Sequence, residues 1–149
     1  MIAADTNLLV HAHQREASLH TRAREVIQRL AESPVPWAIC LHCFVEFYGV
    51  VTHPRLWKNP STPEQALDQI AAWRESPSLR ILCDSPGVLD KLAELAVSGS
   101  VHGALIHDAR IAASCLIGGV SELWTVDRDF SRFPAIKTRN PLSPDAVRK

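Results

Sequence analysis

The chain has 149 residues, 46% of them hydrophobic and 21% charged. This is the usual size of one domain with one core, and the composition excludes a wholly disordered chain and a coiled coil. Sixteen basic and sixteen acidic side chains give zero formal net charge, which counts against a general nucleic-acid binder but leaves room for a local basic rim.

The longest clear apolar stretch, Ile111 to Ser121, contains Gly118-Gly119 and falls far short of the ~18–20 uncharged residues of a membrane span. No basic region precedes the apolar residues of Met-Ile-Ala-Ala-Asp, so no signal peptide is expected. Four unevenly spaced cysteines then read as reduced thiols in a cytoplasmic protein with no membrane association.

In chain order, Ile2-Ala3-Ala4 reads as a short buried strand and Thr6 to about His13 as a short helix. Ser18 to Ala31 has Leu19, Ala23, Val26, Ile27 and Leu30 on one helical stripe. A strand is expected at Trp37–Cys40, followed by an unusually apolar helix from His42 to Val51. Thr62-Pro63-Glu64-Gln65 has the chemistry of a helix start: a threonine cap, proline at the first position and glutamine three residues after the cap. Leu79–Cys83 reads as a strand. Ser85-Pro86 opens a helix with Leu89, Leu92 and Leu95 inside, and Gly103–Ile117 reads as another helix. Glu122–Val126 is the next strand, and Ala135–Thr138 a last short one. Residues 1–139 are expected to form the domain and residues 140–149 a loosely ordered tail. Short strands alternating with helices imply a mainly parallel central sheet with helices on both faces, a three-layer α/β sandwich.

Four carboxylates sit where charge is not expected. Asp5 is the only charged residue among the first fourteen and directly follows the first strand. Glu46 is the only one between Trp37 and Pro54. Asp108 falls within the apolar stripe of Ala104, Leu105, Ile111, Ala112 and Cys115, and Asp127 directly follows Leu123-Trp124-Thr125-Val126. Open α/β sheets place their sites outside the carboxyl ends of strands, where Asp5 and Asp127 meet if their strands are neighbours. Like charges so placed repel, and a divalent cation removes the conflict. An oxygen-only donor set with no matching histidines or cysteines favours Mg²⁺ or Mn²⁺ over Zn²⁺. Such a site suits binding a phosphodiester and activating water for in-line attack.

Asp5-Thr6-Asn7-Leu8-Leu9 resembles the first motif of PIN domains, which are metal-dependent nucleases. Glu46-Phe47 resembles their second acidic position and His107-Asp108-Ala109 their third. Thr125-Val126-Asp127-Arg128-Asp129-Phe130 resembles the fourth. Together these motifs, spread from Ile2 to Phe133, are most similar to VapC-type toxins of toxin–antitoxin pairs. One departure is that Leu41-His42 stands where Ser or Thr often caps the second-motif helix. The resemblance implies a PIN-like fold and an endoribonuclease that cleaves RNA with Mg²⁺ or Mn²⁺. It assigns Asp5, Glu46, Asp108 and Asp127 as metal ligands and catalytic acids, with Asp129 contributing only in some members. It also implies a homodimer and a protein antitoxin that blocks the acidic groove.

Thr6, Asn7 and Thr125 are auxiliary candidates for orienting the carboxylates or metal water. Residues 128–149 hold six Lys or Arg against two Asp. Within them Arg128, Arg132, Lys137 and Arg139 are candidates for RNA phosphates. His11, His13 and His20 read as surface histidines. Cys40 and Cys43 read as small buried side chains, and Cys83 and Cys115 as core-facing. Trp57 and Trp73 are less constrained than Trp37 and Trp124 and are candidates for stacking a base or filling a partner interface. Two other readings stay open. A phosphate-accepting receiver-like module calls for a paired acid at the first strand end and a lysine after the last strand, where Ala4 and Arg128 stand. A non-cleaving PIN-like domain that only binds RNA or protein is disfavoured by the presence of all four acids.

Overall fold

Short, mostly apolar runs become strands β1 (Ile2–Ala4), β2 (Trp37–Cys40), β3 (Leu79–Leu82) and β4 (Glu122–Trp124), and the polar pair Thr138–Arg139 forms β5, in the computed structural model, which describes residues 1–143. Between them lie α1 (Thr6–His13), α2 (His20–Glu32), α3 (Leu41–Val51), α4 (Pro63–Arg74), α5 (Pro86–Ser98) and α6 (Ile106–Ile117). The sheet order is β3-β2-β1-β4-β5 and every pairing is parallel. Right-handed crossovers then put α1–α4 on one face and α5–α6 on the other. Trp37, Ala38, Ile39, Leu123 and the β1 alanines are buried because they lie between these helical layers. Phe47, Phe130 and Phe133 are buried with them in the same core. No helix among the described residues is long and apolar enough to cross a membrane.

The chain leaves β1 in one direction of the sheet and reaches β4 on the other side. β1 is therefore the switch point, and a crevice forms outside the carboxyl ends of β1 and β4. Ala4 pairs with Trp124, and the Asp5 amide donates to the Trp124 carbonyl at 3.0 Å. The expectation that Asp5 and Asp127 follow neighbouring strands holds. The α4 start also forms as expected: Thr62 Oγ1 accepts from the Gln65 amide at 3.2 Å, and Gln65 Oε1 accepts from the Thr62 amide at 2.9 Å.

Several expectations need correction. Residues 103–105 form a 3₁₀ turn, with Gly103 at φ +57°, and the α-helix begins only at Ile106, which leaves Ala104 exposed. Leu89 is 67% exposed rather than inside, because it lies about 100° around the helix from Val88 and flanks the stripe of Val88, Leu92 and Leu95. Cys83 is exposed just past the end of edge strand β3. β5 is shorter and later than expected, its register fixed by Leu123 opposite Thr138. Trp73 is buried against Phe47 and is not free to stack a base, whereas Trp57 is half-buried with its indole N–H on the Val50 carbonyl at 2.9 Å.

The three histidines are not simply surface groups. His13 Nε2 lies 2.8 Å from Ser61 Oγ and its Nδ1 3.3 Å from Gln69 Oε1, while His20 Nδ1 lies 3.0 Å from the His11 carbonyl. They tie the end of α1 to α2 and α4. Of the segment expected as a tail, Leu142 is buried and its carbonyl accepts from Arg22 Nη1 at 3.2 Å. Residues 144–149 lie outside the described residues.

Candidate metal centre

Asp5 ends β1 and caps α1, so its backbone is fixed from both sides. Asp5 is only 3% exposed and its carboxylate accepts three hydrogen bonds. The Thr6 amide donates to Oδ1 at 2.8 Å, and Asn7 Nδ2 and Thr125 Oγ1 each donate to Oδ2 at 2.7 Å. Asn7 Oδ1 in turn accepts from the Val126 amide at 3.2 Å, and Thr125 Oγ1 accepts from the Asp127 amide at 3.0 Å. This network locks the chain after β4 onto the start of α1. Burial pushes the Asp5 carboxyl up to about 7 against the pull of these hydrogen bonds, with Asp108 and Glu46 adding repulsion.

Asp108 stands in the first turn of α6, facing the loop that follows β4. Oxygens of Asp108, Asp127 and Asp129 lie within 4.8 Å of one another. The Asp129 amide donates to Asp127 Oδ1 at 2.8 Å and shapes the loop that presents both. Burial raises the Asp108 carboxyl to about 6, reinforced by repulsion from Asp127, Glu46 and Asp129. Among the described residues, no Lys or Arg forms an ion pair with Asp5, Glu46, Asp108, Asp127 or Asp129. Arg110, two residues after Asp108, turns to Asp84 instead. A set of hard oxygen donors with uncompensated negative charge fits a hard divalent cation.

Glu46 reaches this edge from α3. Its Oε2 accepts from Thr6 Oγ1 at 2.7 Å and its Oε1 lies 3.2 Å from His42 Nε2, one helical turn earlier. His42 stacks on His107 with ring centroids 5.3 Å apart, and His42, Glu46 and His107 offer donor atoms within 4.8 Å of one another. The expectation of a site without histidines is thus incomplete. The missed signals were the four-residue spacing of His42 and Glu46 on one helix face and the adjacency of His107 and Asp108. Burial lowers the His42 pKa.

The basic candidates divide. Arg128 and Arg132 are exposed around the 3₁₀ turn at Asp129–Arg132. Arg139 lies over the Trp124 ring, 5.8 Å from its centroid. Lys137 pairs with Glu122 at 2.8 Å, at the amino end of β4 and so away from the acids. Its place follows from the parallel pairing of β4 with β5, and its charge is already engaged there.

The sheet order and the carboxylates at its switch point define a PIN-like α/β domain with an acidic centre. No family model matches the chain. It is 30% identical over 143 residues to Ribonuclease VapC48 of Mycobacterium tuberculosis (strain ATCC 25618 / H37Rv), covering 93% of this chain and 96% of that protein. It is 31% identical over 144 residues to Ribonuclease VapC43 of the same strain, covering 95% of this chain and 96% of that one. The chain belongs to the VapC ribonuclease family. Its fold is similar to the crystal structure of Mycobacterium tuberculosis VapC20, a toxin that cleaves the sarcin–ricin loop. That likeness has a TM-score of 0.66 at 18% identity, over 88% of this chain and 93% of that one. FitAcB from Neisseria gonorrhoeae is similar with a TM-score of 0.65 at 20% identity, over 95% of this chain and 98% of that one.

Proposed function

We propose that this protein is an Mg²⁺- or Mn²⁺-dependent endoribonuclease and the toxin of a toxin–antitoxin pair. One observation carries the reading: a chain of the VapC ribonuclease family gathers Asp108, Asp127 and Asp129 within 4.8 Å, beside buried Asp5 and with no neutralising Lys or Arg among the described residues. When bound, a divalent cation supplies Lewis acidity toward a phosphoryl oxygen and activates water for in-line attack. Asp5, Asp108 and Asp127 hold it, with Asp129 as an auxiliary acid. Thr6, Asn7 and Thr125 orient the carboxylate of Asp5. Glu46, the fourth acid, orients the attacking water and accepts its proton. Exposed Arg128 and Arg132 meet phosphates flanking the scissile one.

An RNA substrate implies action in the cytoplasm. A protein antitoxin covering the acidic groove, and a homodimer, complete the proposal. The antitoxin is supported by family membership and by similarity to a chain of a solved toxin–antitoxin complex from Klebsiella pneumoniae. A small antitoxin gene beside this one, and co-purification of its product, is the expected finding. Light scattering of the purified chain tests the dimer. For the chemistry, the test is cleavage of single-stranded RNA with Mg²⁺, with Mn²⁺ and with EDTA. Cleavage is expected with either ion and none with EDTA. Full cleavage by metal-stripped protein would sink the proposal.

A further inference from the structure

A chain of contacts behind Glu46 is not used by the acidic centre. Ser114 Oγ donates to Asp84 Oδ1 at 3.2 Å. Arg110 donates from Nε to Asp84 Oδ2 at 2.8 Å, and from Nη2 to the same oxygen. Arg110 Nη1 lies 3.0 Å from His42 Nδ1. His42 Nε2 lies 3.2 Å from Glu46 Oε1, and Thr6 Oγ1 donates to the other Glu46 oxygen. The contacts connect the loop after β3, the middle of α6, the first turn of α3 and the start of α1.

The chemistry of each atom fixes the direction of this chain. A guanidinium has five donors and no acceptor, so His42 Nδ1 facing Arg110 must accept. A ring whose Nδ1 accepts carries its proton on Nε2. That nitrogen is fully buried and makes no well-aligned hydrogen bond among the described residues, but Glu46 Oε1 stands 3.2 Å away as a neighbouring acceptor. The His42 side chain is only 10% exposed, and its other face is covered by the His107 ring.

We infer that Arg110, anchored by Asp84, holds His42 as its Nε2–H tautomer, and that His42 is thereby a positioning residue that steadies Glu46 from the side opposite Thr6. The inference rests on the nuclease reading of the acidic centre and adds a named set of residues to it. The same geometry weighs against His42 as a metal ligand with Glu46 and His107. Ligation through Nε2 moves the ring proton to Nδ1, where it meets the donating face of Arg110.

The test has two arms. The first is the tautomer, read by ¹⁵N–¹H correlation of histidine-labelled, metal-free protein. An Nε2–H pattern for His42 is expected, shifting toward a mixture in Arg110→Met. An Nδ1–H pattern in the wild type, or a pattern unmoved by Arg110→Met, overturns the inference. The second arm is RNA cleavage with Mg²⁺. His42→Leu is expected to lower kcat roughly ten- to a hundredfold, the usual cost of losing such a supporting contact, with KM little changed. His42→Gln, whose amide reaches the place of Nε2, recovers most of that loss. His42→Asn, one atom shorter, does not. The double variant His42→Leu/Arg110→Met is no slower than His42→Leu alone, because both act through one chain. Additive losses refute the role, and equal rates for the Gln and Asn variants refute it even if His42→Leu fails to fold. Wild-type protein that cleaves no RNA with either Mg²⁺ or Mn²⁺ refutes the nuclease reading and the role of His42 within it. An active wild type with indifferent His42 variants refutes only the inference about His42.

Discussion

Asp5 and the group Asp108, Asp127 and Asp129 share one edge of the sheet but carry their charge in opposite ways. Asp5 is buried and has a donor on every side, built by Thr6, Asn7 and Thr125 from two elements that meet only in the fold. The other three approach within 4.8 Å, and among the described residues the one donor to their carboxylates is the Asp129 amide on Asp127. The first arrangement is complete in the protein alone. The second is complete only with a cation. The difference separates what folding requires from what function requires. Removing a donor from Asp5 should cost stability, whereas removing a charge from the group should cost activity alone.

The largest expected effect is Asp108→Asn. It keeps the shape of the side chain and removes one ligand charge. Cleavage should fall at least about a hundredfold, since loss of a few kcal/mol of metal-borne stabilisation corresponds to two decades or more in rate. Melting in EDTA should be unchanged or higher, because repulsion within the group falls. A clear loss of metal-free stability would instead give Asp108 a structural role and break the contrast.

Next in size is the pH dependence of metal-free stability. Asp5 is raised to about 7 and Asp108 to about 6, from 3.8 in an unfolded chain. Between these limits the folded protein binds more protons than the unfolded one through these two groups. The slope of unfolding free energy with pH is then negative, so stability falls as pH rises from about 4 to 7. Glu16 and Glu122, whose pKa values are lowered, act in the opposite sense at and below 4.5, and His11, His13 and His42, lowered by burial, oppose the fall up to about 6.5. At ~1.4 kcal/mol per pKa unit, and with Asp108 discounted for its exposure, the loss is on the order of a few kcal/mol. Melting in EDTA should drop by a few degrees across that window, most clearly between about pH 6.5 and 7.5 where the histidines no longer oppose Asp5. Saturating Mg²⁺ should flatten the curve, and Asp5→Asn should remove most of it. A melting temperature that rises steadily to pH 8 in EDTA would contradict the burial argument for Asp5.

A smaller effect is expected for Thr125→Val, which removes one donor to Asp5 and the acceptor of the Asp127 amide. A cost of about 1–3 kcal/mol in stability is expected from the buried group left unpaired. Thermal melts at pH 7 measure it. Asn7→Ala acts on the same network, so the double variant should lose less than the sum of the two. Strict additivity would mean the network is not one unit.

The contrast also marks what was legible in the sequence. The four acids could be found because each breaks a local apolar pattern, and Asp5 and Asp127 because they follow strands. The Thr62–Gln65 cap was legible for the same reason, all of its chemistry lying within four residues. The hydrogen-bond role of Thr125 could be proposed but not distinguished from ordinary capping until β1 and β4 were seen side by side. His42 was read only as a missing helix cap, because its meaning depends on Arg110, sixty-eight residues away, and on Asp84. Leu89 and Cys83 were misplaced inward because hydrophobicity says that a residue can be buried, not that another element covers it. The order of the two edge strands is likewise set by crossovers, not by any local signal in β3 or β5.

The smallest expected effect concerns how an acidic centre in a neutral chain holds RNA. Arg132 is exposed, lies three residues beyond Asp129, and has no ion-pair partner among the described residues. Arg132→Gln should weaken RNA binding at low salt and reduce the slope of log affinity against log salt by up to ~0.7, the share of one phosphate on a single strand. Arg139 spends part of its charge over Trp124, so Arg139→Gln should change the slope less. That variant should also cost about 0.5–1 kcal/mol in stability. Lys137 is held by Glu122 at the far end of β4, and Lys137→Gln should leave the slope unchanged. Cleavage at saturating RNA should change little in all three, since the carboxylates remain. Binding across a salt series orders the three variants directly. If Lys137→Gln moves the slope most, RNA runs along the β5 edge and not beside the acids. If none moves it, the phosphate contacts lie on the first helices, where Arg15 and Arg24 are exposed beside the end of α1 and the start of α2.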